Sequence, residues 1–374
     1  MLLTASEGYL SFPMPPVSPK VLNFSAGPAM LPPEVMERVA AELRDYRGTG
    51  VGVLEMSHRS TEFEGIIHAA EATLRSLLGI GDDWAVLFLQ GGASMQFSQV
   101  PMNFLDDALA PAQYVVTGEW GRKALAAARI VGGAEALWDG GPDYRTTPDS
   151  LDVPEAAYLH VTTNETIQGP QFAREIWDSN QVPVVADASS DFLSRPIDMA
   201  RYAMVYAGAQ KNLGPAGLTL ALIRRDLLAR GTAVSPMLDY RTHDKAGSLY
   251  NTPPTFAIWV TSLVLEWIAA QGLARVGEIN AEKAGLVYAA LDAAPELYAV
   301  HPEPRSRSLM NVVLRLSTPE LETELLAEAR AAGMVELKGH RSVGGMRASL
   351  YNAVPLGHAR ALADLLTDFA QRRG

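Results

Sequence analysis

Residues 182–187 read VPVVAD, and residues 204–217 read MVYAGAQKNLGPAG. In each stretch a short apolar run, typical of a buried strand, is followed closely by one charged residue. That residue is Asp187 in the first stretch and Lys211 in the second, where glycine and proline come next. The two stretches therefore predict two strands whose carboxyl ends carry a carboxylate and an amine.

Further strand-like runs alternate with helical patterns along the first 270 or so residues. The strand-like runs lie at 85–90, 114–117, 157–161 and 218–223, and helical patterns such as 122–130 and 174–178 lie between some of them. This alternation predicts an α/β fold with a mostly parallel sheet covered on both faces. Ligands of such sheets bind at the carboxyl ends of the strands. Beyond residue 270, long helical patterns with fewer strands predict a smaller α+β domain.

Composition narrows the possible functions. The 374 residues are 48% hydrophobic, which is enough for a large core and suggests two domains. A net charge of −11 argues against non-specific binding to nucleic acid or to an anionic membrane. The chain has no cysteine, which excludes disulfides, thiolate metal sites and a cysteine nucleophile.

The N-terminal segment and the longest apolar segment together predict a soluble, cytoplasmic protein. Residues 1–19 contain four prolines and no basic side chain, so we expect a loose tail and no secretion signal. The longest apolar helix candidate, 256–268, is too short and too polar to span a membrane.

Lys211 is one of only six lysines, and it alone closes an apolar strand. Lys123 and Lys283 are expected at polar positions of helices, and Lys245 and Lys338 in exposed loops. Taken alone, Lys211 is best interpreted as a surface lysine in a turn. The alternative is a Schiff-base lysine, because a partly desolvated amine has a lowered pKa and attacks aldehydes.

Asp187 favours the second interpretation. Most aspartates in such a position cap a helix or a turn. Pyridoxal phosphate, however, needs a carboxylate beside its ring nitrogen and a lysine amine for its aldehyde. Asp187 and Lys211 at nearby strand ends would supply both groups.

A glycine-rich turn could bind the phosphate of that cofactor. Ala93 and Ser94 follow Gly91-Gly92 between a strand and a helical pattern, where backbone N–H groups can approach an anion. The turn matches neither a P-loop nor a dinucleotide motif, and by itself it is a weak signal. Trp120 follows another strand and is either a core residue or a residue that stacks on the ring.

Cationic side chains occur as two histidine–arginine pairs and a further arginine. The pairs are His58-Arg59 and His340-Arg341, and Arg347 follows the second pair. An isolated pair is usually solvent-exposed, but arginines bind carboxylates and phosphates in a bidentate manner. We therefore expect a small substrate with more than one negative charge. The seven histidines show no metal-ligand spacing, so no catalytic metal is expected.

Eight motifs distributed from Asn23 to the C-terminus complete the pattern. They are MSHRS, QGGASMQF, GEWG, NETIQG, ADASSD, GAQKNLGPAG, NTPPTF and GHRSVGGMRASLYN. In order and combination they resemble the phosphoserine aminotransferases, class V members of the fold-type I pyridoxal phosphate enzymes. The resemblance implies an aspartate aminotransferase-like fold. Its large domain, residues 20–272, would bind the cofactor on a mostly parallel, seven-stranded sheet; residues 273–374 would form the small domain, against which residues 20–32 pack.

The resemblance also implies a role for each candidate residue. Lys211 would hold the cofactor as a Schiff base, and Asp187 would pair with its ring nitrogen. Trp120 would stack on the ring, and Thr166 would bind the phenolic oxygen. The cofactor phosphate would be bound by Ala93, Ser94 and Gln210. Asn251 and Thr252 would reach that phosphate from the other subunit of a homodimer. For the substrate, Arg347 would bind the α-carboxylate, and His58, Arg59, His340 and Arg341 would surround the distal phosphate or carboxylate.

The implied reaction is amino transfer between L-glutamate and 3-phosphohydroxypyruvate, which gives O-phospho-L-serine for serine biosynthesis. The four-carbon phosphorylated oxo acid of pyridoxine biosynthesis could use the same pocket. An alanine–glyoxylate or serine–pyruvate aminotransferase is the nearest rival, but its substrates carry no phosphate. A cysteine desulfurase would need a cysteine, and a non-catalytic binding protein would need neither Lys211 nor Asp187.

Overall fold

The computed structural model describes residues 21–106, 110–232 and 234–373, so the expected tail at 1–19 lies outside the described residues. The α-helices are α1 (Pro33–Glu42), α2 (Thr61–Leu78), α3 (Gly92–Phe104), α4 (Glu119–Val131), α5 (Arg225–Ala229), α6 (Tyr240–Lys245), α7 (Thr255–Gln271), α8 (Leu273–Asp292), α9 (Pro319–Ala331) and α10 (Leu356–Arg373). The strands are β1 (Leu22–Asn23), β2 (Trp84–Gln90), β3 (Ala112–Val116), β4 (Ala134–Asp139), β5 (Leu159–Thr162), β6 (Val184–Asp187), β7 (Met204–Gly208), β8 (Leu218–Arg224), β9 (Tyr298–Val300), β10 (Asn311–Leu316), β11 (Met334–Val335) and β12 (Met346–Ser349). Short 3₁₀ helices lie at Tyr46–Gly48, Met199–Arg201 and Pro304–Ser306.

A seven-stranded sheet forms the centre of the larger part of the chain. Its strand order is β2-β8-β7-β6-β5-β3-β4, and β8 alone runs opposite to the other strands. The expected mostly parallel α/β sheet is therefore confirmed. The edge strand β4 had no strong sequence signal, because only Ala134 of its six residues is buried.

One expected helix is absent. Residues 174–178, between β5 and β6, are irregular. The stretch is short, and its apolar Trp177 is buried between the rings of Phe172 and Tyr202. Tertiary packing of one aromatic residue therefore replaces the helical periodicity that the sequence suggested.

Strand register brings three loops to the same edge of the sheet. Thr162 of β5 lies opposite Asp187 of β6, and Asp187 lies opposite Tyr206 of β7. These three strands are parallel, so the chain leaves each of them at the same carboxyl edge. Lys211, five residues beyond Tyr206, leaves the sheet on the side where Asp187 ends.

Apolar side chains cover both faces of this sheet. One buried cluster packs α2 and α7 against the sheet, and another packs α3 and α4 against the opposite face. Helix α7 has ten buried residues among its seventeen, since it lies between the sheet and its neighbouring helices. Two layers of helices therefore hold the sheet, as expected for this fold class.

The C-terminal part has its own apolar core. Helices α8, α9 and α10 surround the antiparallel sheet β12-β10-β9. The N-terminal segment joins this core, because β1 pairs with β11 and Phe24 is fully buried there. Leu273 and Val276, at the start of α8, pack instead in the core of the large sheet. The separate cores support the division at residues 272 and 273, which stays a prediction.

Among the described residues, no single helix is long and apolar enough to cross a membrane. Helices α7 and α8 together meet the requirement by length and composition, but they bend by 89° where they meet.

Candidate active site

Lys211 is a half-buried lysine at the carboxyl edge of the large sheet. Its Nζ donates a hydrogen bond to Oγ1 of Thr166 over 2.6 Å and lies 5.8 Å from the centre of the Trp120 ring. Burial lowers its pKa to about 8, although the carboxylates of Asp187 and Glu165 act in the opposite direction. The lowered pKa therefore makes the unprotonated, nucleophilic amine more abundant near neutral pH than it is for an ordinary lysine.

Asp187 is almost fully buried at the end of β6, with only 4% of its surface exposed. Its Oδ1 accepts hydrogen bonds from the backbone N–H and the hydroxyl of Ser189, at 3.0 and 2.6 Å. Burial raises the pKa of Asp187, whereas Ser189 and Lys211 favour its ionised form. A cation placed beside this carboxylate would stabilise the ionised form further.

Glu165 is a site residue that the sequence did not single out. Its carboxylate accepts hydrogen bonds from the backbone N–H groups of Trp120 and Gly121, at 3.1 and 2.8 Å. A side chain at Gly118 would collide with this carboxylate, since an added Cβ would lie 2.4 Å from Glu165 Cδ. Burial raises the pKa of Glu165 to about 7. The side chain therefore holds the start of α4 and positions Trp120, while the next residue, Thr166, contacts Lys211.

The expected phosphate cradle begins α3. Gly91 has φ +97° and Gly92 has φ +68°, and an added Cβ on Gly91 would lie 2.7 Å from Met95. Glycine is therefore required at position 91 by both conformation and space. Ala93 and Ser94 lie in the first turn of the helix, where backbone N–H groups have no partner within the helix.

Gln210, Asn251 and Thr252 lie in two different loops. Gln210 directly precedes Lys211, and its carbonyl accepts a hydrogen bond from Ala29 N at 2.8 Å. The carbonyl of Thr252 accepts one from Gln90 Nε2 at 3.2 Å, at the end of the strand that leads into the cradle. Asn251 lines a 330 Å³ cavity together with Gly91 and Met95. Within one chain, the loop of Asn251 and Thr252 thus lies beside the cradle.

Arg347 extends from β12 towards Lys211. Its Nη1 donates to the carbonyl of Thr166 at 3.3 Å, whereas its buried Nε has no hydrogen-bond partner among the residues that the structure describes. Burial lowers its pKa. A buried guanidinium with an unused donor is suited to a carboxylate ligand.

His340 and Arg341 lie near Arg347. Burial and the charges of Arg347 and Arg341 lower the pKa of His340, and Lys123 acts in the same direction. Lys123 lies over the Trp120 ring, 4.7 Å from its centre, and 3.5 Å from a carboxylate oxygen of Glu119. Lys123, expected only as a polar helix residue, therefore adds a cation to this side of the site.

His58 and Arg59 have no direct bond to the central residues of this group among the described residues. They lie in the loop before α2, and among the described residues no hydrogen bond or ion pair joins them to Lys211 or Arg347. Their assignment to the substrate site stays a prediction. Within the described ranges, no cluster of three or more metal-ligating side chains occurs.

The sequence model of the class-V aminotransferases matches residues 21–357. The phosphoserine aminotransferase of Geobacillus kaustophilus is 49% identical over 359 residues, which cover 94% of this chain and 99% of that protein. The chain belongs to the phosphoserine aminotransferase family. The Herpetosiphon aurantiacus member is 48% identical, with 95% of this chain and 99% of that protein covered.

Solved structures of the phosphoserine aminotransferases have the same fold. The Bacillus circulans subsp. alkalophilus enzyme superposes with a TM-score of 0.92 at 46% identity, covering 95% of this chain and 99% of that one. The Trichomonas vaginalis enzyme, which is described as bound to pyridoxal phosphate, has a TM-score of 0.87 at 35% identity, with 93% and 99% covered. The chain is therefore an aminotransferase with the aspartate aminotransferase-like fold.

The residues present fit pyridoxal phosphate. Lys211 offers a nucleophilic amine, Asp187 a buried carboxylate, and the start of α3 a set of N–H donors. Within the described ranges, the buried Nε1 of Trp120 and Nε of Arg347 also lack hydrogen-bond partners, so the site contains polar atoms that a bound polar molecule could satisfy.

Proposed function

We propose that the chain transfers the amino group of L-glutamate to 3-phosphohydroxypyruvate, giving O-phospho-L-serine and 2-oxoglutarate. One observation carries the proposal: Thr166 joins the amine of Lys211 to the guanidinium of Arg347. Its hydroxyl accepts a hydrogen bond from Lys211 and its carbonyl accepts one from Arg347, and Asp187 ends the strand next to the one that leads to Lys211. Amine, carboxylate and arginine are the three groups that amino transfer from an α-amino acid requires. Family membership supports the same reaction.

When bound, pyridoxal phosphate supplies an electron sink for the charge that develops at the substrate Cα. Lys211 would hold the cofactor covalently. Once its amine is free, Lys211 would take the proton from the substrate Cα and pass it to the cofactor, and it would run the same transfer in reverse with the second substrate. Its lowered pKa suits this role, because a proton acceptor works best with a pKa near the working pH.

Three further residues would orient the cofactor. Asp187 would face the ring nitrogen and keep it charged, and Trp120 would cover the ring. Thr166 now accepts a hydrogen bond from Lys211, and its hydroxyl would bind the cofactor's phenolic oxygen after the amine moves. Ala93, Ser94 and Gln210 would bind the phosphate.

Substrate choice would depend on the cations. Arg347 would bind the α-carboxylate through its unused donor. His340 and Arg341 would bind the distal phosphate, or the distal carboxylate of glutamate, together with His58 and Arg59. This set would also accept the four-carbon phosphorylated oxo acid of pyridoxine biosynthesis.

A homodimer is part of the proposal. Met95 and Met237 are 42% and 44% exposed and line the same cavity as Asn251, and Tyr250, which directly precedes Asn251, is 48% exposed. Exposed apolar side chains beside a binding site are typical of an interface. In the dimer, Asn251 and Thr252 would bind the cofactor phosphate of the other subunit. Such an enzyme would meet its small anionic substrates in the cytoplasm.

The proposal is tested by comparing amino acceptors with L-glutamate as the donor. We expect kcat/KM for 3-phosphohydroxypyruvate to exceed that for pyruvate or glyoxylate by at least about a hundredfold, since a phosphate bound by arginine gains several charge-assisted hydrogen bonds. Equal values for the three acceptors would contradict the substrate assignment and favour the alanine–glyoxylate type.

A pair of variants localises the phosphate site. Arg341→Ala should lower kcat/KM for 3-phosphohydroxypyruvate but leave the value for pyruvate almost unchanged. Arg360→Ala, at an exposed position of α10, is the matched control and should change neither value.

A further inference from the structure

Lys283 is a fully buried lysine of α8, with none of its surface exposed. Its Nζ donates hydrogen bonds to the carbonyls of Leu350, Tyr351 and Val354, at 2.9, 2.8 and 3.0 Å. An ammonium group has three N–H donors, so these three acceptors satisfy all of them. The prediction of a polar helix position for Lys283 is therefore wrong. The amine can be buried because three backbone carbonyls replace the water molecules that would otherwise accept its hydrogen bonds.

Residues 350–354, which Lys283 binds, directly follow the strand that carries Arg347. A second residue of α8 holds the same segment, because Asn280 Nδ2 donates to Asn352 Oδ1 at 2.8 Å. Asn352 Nδ2 in turn donates to the carbonyl of Leu193 at 2.9 Å. Helix α8 thus fixes this segment from one side and ties it to the large sheet's loops.

The other side of the segment contacts the neighbourhood of Lys211. The backbone N–H of Asn352 donates to Oδ1 of Asn212 at 3.0 Å, and Asn212 is the residue after Lys211. The hydroxyl of Tyr351 donates to the carbonyl of Ala26 at 2.9 Å. The next residue, Gly27, lies so close to Lys211 that an added Cβ would be 3.4 Å from its Cγ. Both contacts therefore end beside the reactive lysine.

We propose that Lys283 is a positioning residue: its ammonium holds residues 350–354, and through Asn352 and Asn212 it fixes the backbone on which Lys211 stands. The inference rests on the proposed function, in which Lys211 carries the cofactor. The unusual feature is the full burial of a lysine amine with no carboxylate partner in the described part of the chain, since buried lysines are rare unless their charge is compensated. Helix packing alone would be served by an apolar side chain of the same length.

Lys283→Met tests the proposal, because methionine keeps the length of the side chain but donates no hydrogen bond. In the cofactor-free protein, we expect amide hydrogen exchange at residues 350–354 and at Asn212 to rise by about tenfold or more. In the cofactor-loaded protein, the pH midpoint of the visible absorption band should shift, and kcat/KM should fall by about tenfold or more. Glu282→Met, at the adjacent exposed position of α8, is the control and should leave all three measurements unchanged.

Asn212→Ala separates positioning from general stability. It removes the acceptor that links the segment to Lys211 while leaving Lys283 in place. If Lys283 acts through this link, the double variant should show the same absorption midpoint as Lys283→Met alone, because coupled residues are not additive. Additive shifts, or a Lys283→Met protein that is less stable but has the native midpoint and kcat/KM, would overturn the proposal.

Two outcomes keep the test decisive. If Lys283→Met does not fold, Asn212→Ala alone must shift the midpoint, and an unshifted midpoint would reject the inference. If the native protein transfers no amino group, the proposed function fails, whereas hydrogen exchange in the cofactor-free variants still tests the role of Lys283.

Discussion

Lys211 and Lys283 are two lysines whose amines have left bulk water, and their surroundings differ. Lys211 donates one observed hydrogen bond, to the hydroxyl of Thr166, and feels the charges of Asp187 and Glu165. Lys283 donates three, all to backbone carbonyls. Burial lowers the pKa of both, to about 8 for Lys211 and about 7 for Lys283.

The comparison shows that a lowered pKa does not by itself make a lysine reactive. The Lys283 amine has no unused donor and no open space for an aldehyde, so its environment is that of a structural cross-link. Lys211 itself is half-buried, and a carboxylate, an indole and an arginine lie around it. Access and unsatisfied hydrogen-bonding capacity distinguish the two sites.

Replacing Lys211 should have the largest effect. Lys211→Ala removes both the attachment point of the cofactor and the group that moves the proton, so kcat should fall by at least about 10²–10⁴-fold. Borohydride reduction of the cofactor-loaded protein, followed by peptide mass spectrometry, should give no fixed adduct. Lys245→Ala, outside the site, should retain both the adduct and the activity; an adduct that survives Lys211→Ala would assign the cofactor to another lysine.

Timed labelling sharpens the comparison directly. In the cofactor-free protein, an amine-reactive reagent should modify Lys211 at least about a hundredfold faster than Lys283, because labelling of Lys283 requires local opening. The Lys211 rate should rise with pH and level off above about 8, since the amine is unprotonated above its pKa. Mass spectrometry of the peptides measures both rates. Comparable rates for the two lysines would show that burial alone controls their reactivity.

For stability, in contrast to activity, replacing Lys283 should have a larger effect than replacing Lys211. Lys283→Met leaves three buried carbonyls without donors, which destabilises the fold, but it also removes a buried charge, which partly offsets the loss. The free energy of unfolding should therefore fall by about 2–3 kcal/mol. Lys211→Met should lower it by less, because Lys211 makes one hydrogen bond, to the Thr166 hydroxyl, and its loss also removes the burial cost of that charge. Urea unfolding of the cofactor-free proteins measures both changes, and a larger loss for Lys211→Met would contradict this assignment.

Replacing Glu165 should have the smallest effect, which should appear in the pH dependence of stability. Burial raises its pKa from 4.5 to about 7, so the folded protein binds more protons than the unfolded chain between these values. Stability should therefore fall as pH rises from about 4.5 to about 7. Glu165→Gln should remove about 1 kcal/mol or more of this decline. Thermal unfolding at several pH values checks it, and parallel profiles for the native protein and the variant would exclude Glu165 as the cause.

The sequence predicted the residues at the strand ends better than it predicted the residues that support them. Asp187 and Lys211 follow apolar runs whose register could be anticipated, because parallel strands share a carboxyl edge. Glu165 had one available signal, its place directly before Thr166 in NETI, but its partners are backbone N–H groups of α4. Such partners carry no side-chain signature in the sequence.

Long-range packing also explains the expectations that were wrong. The helical pattern at 174–178 is overridden by the burial of Trp177. Lys283 lies on the buried side of α8, where backbone carbonyls accept its hydrogen bonds. Those carbonyls lie 67 to 71 residues further along the chain. Local periodicity contains no information about carbonyls at that distance.

The sequence by itself therefore determined the α/β class, most strands of the large sheet, the family and the candidate lysine–aspartate pair, since these depend on local apolar patterns and on motif order. Only the tertiary structure decided that the Lys283 amine is enclosed by three backbone carbonyls, whereas Lys211 stays half-buried near Asp187. The reason is physical: an amine acquires its role from the acceptors and the space around it, and folding brings those from distant parts of the chain.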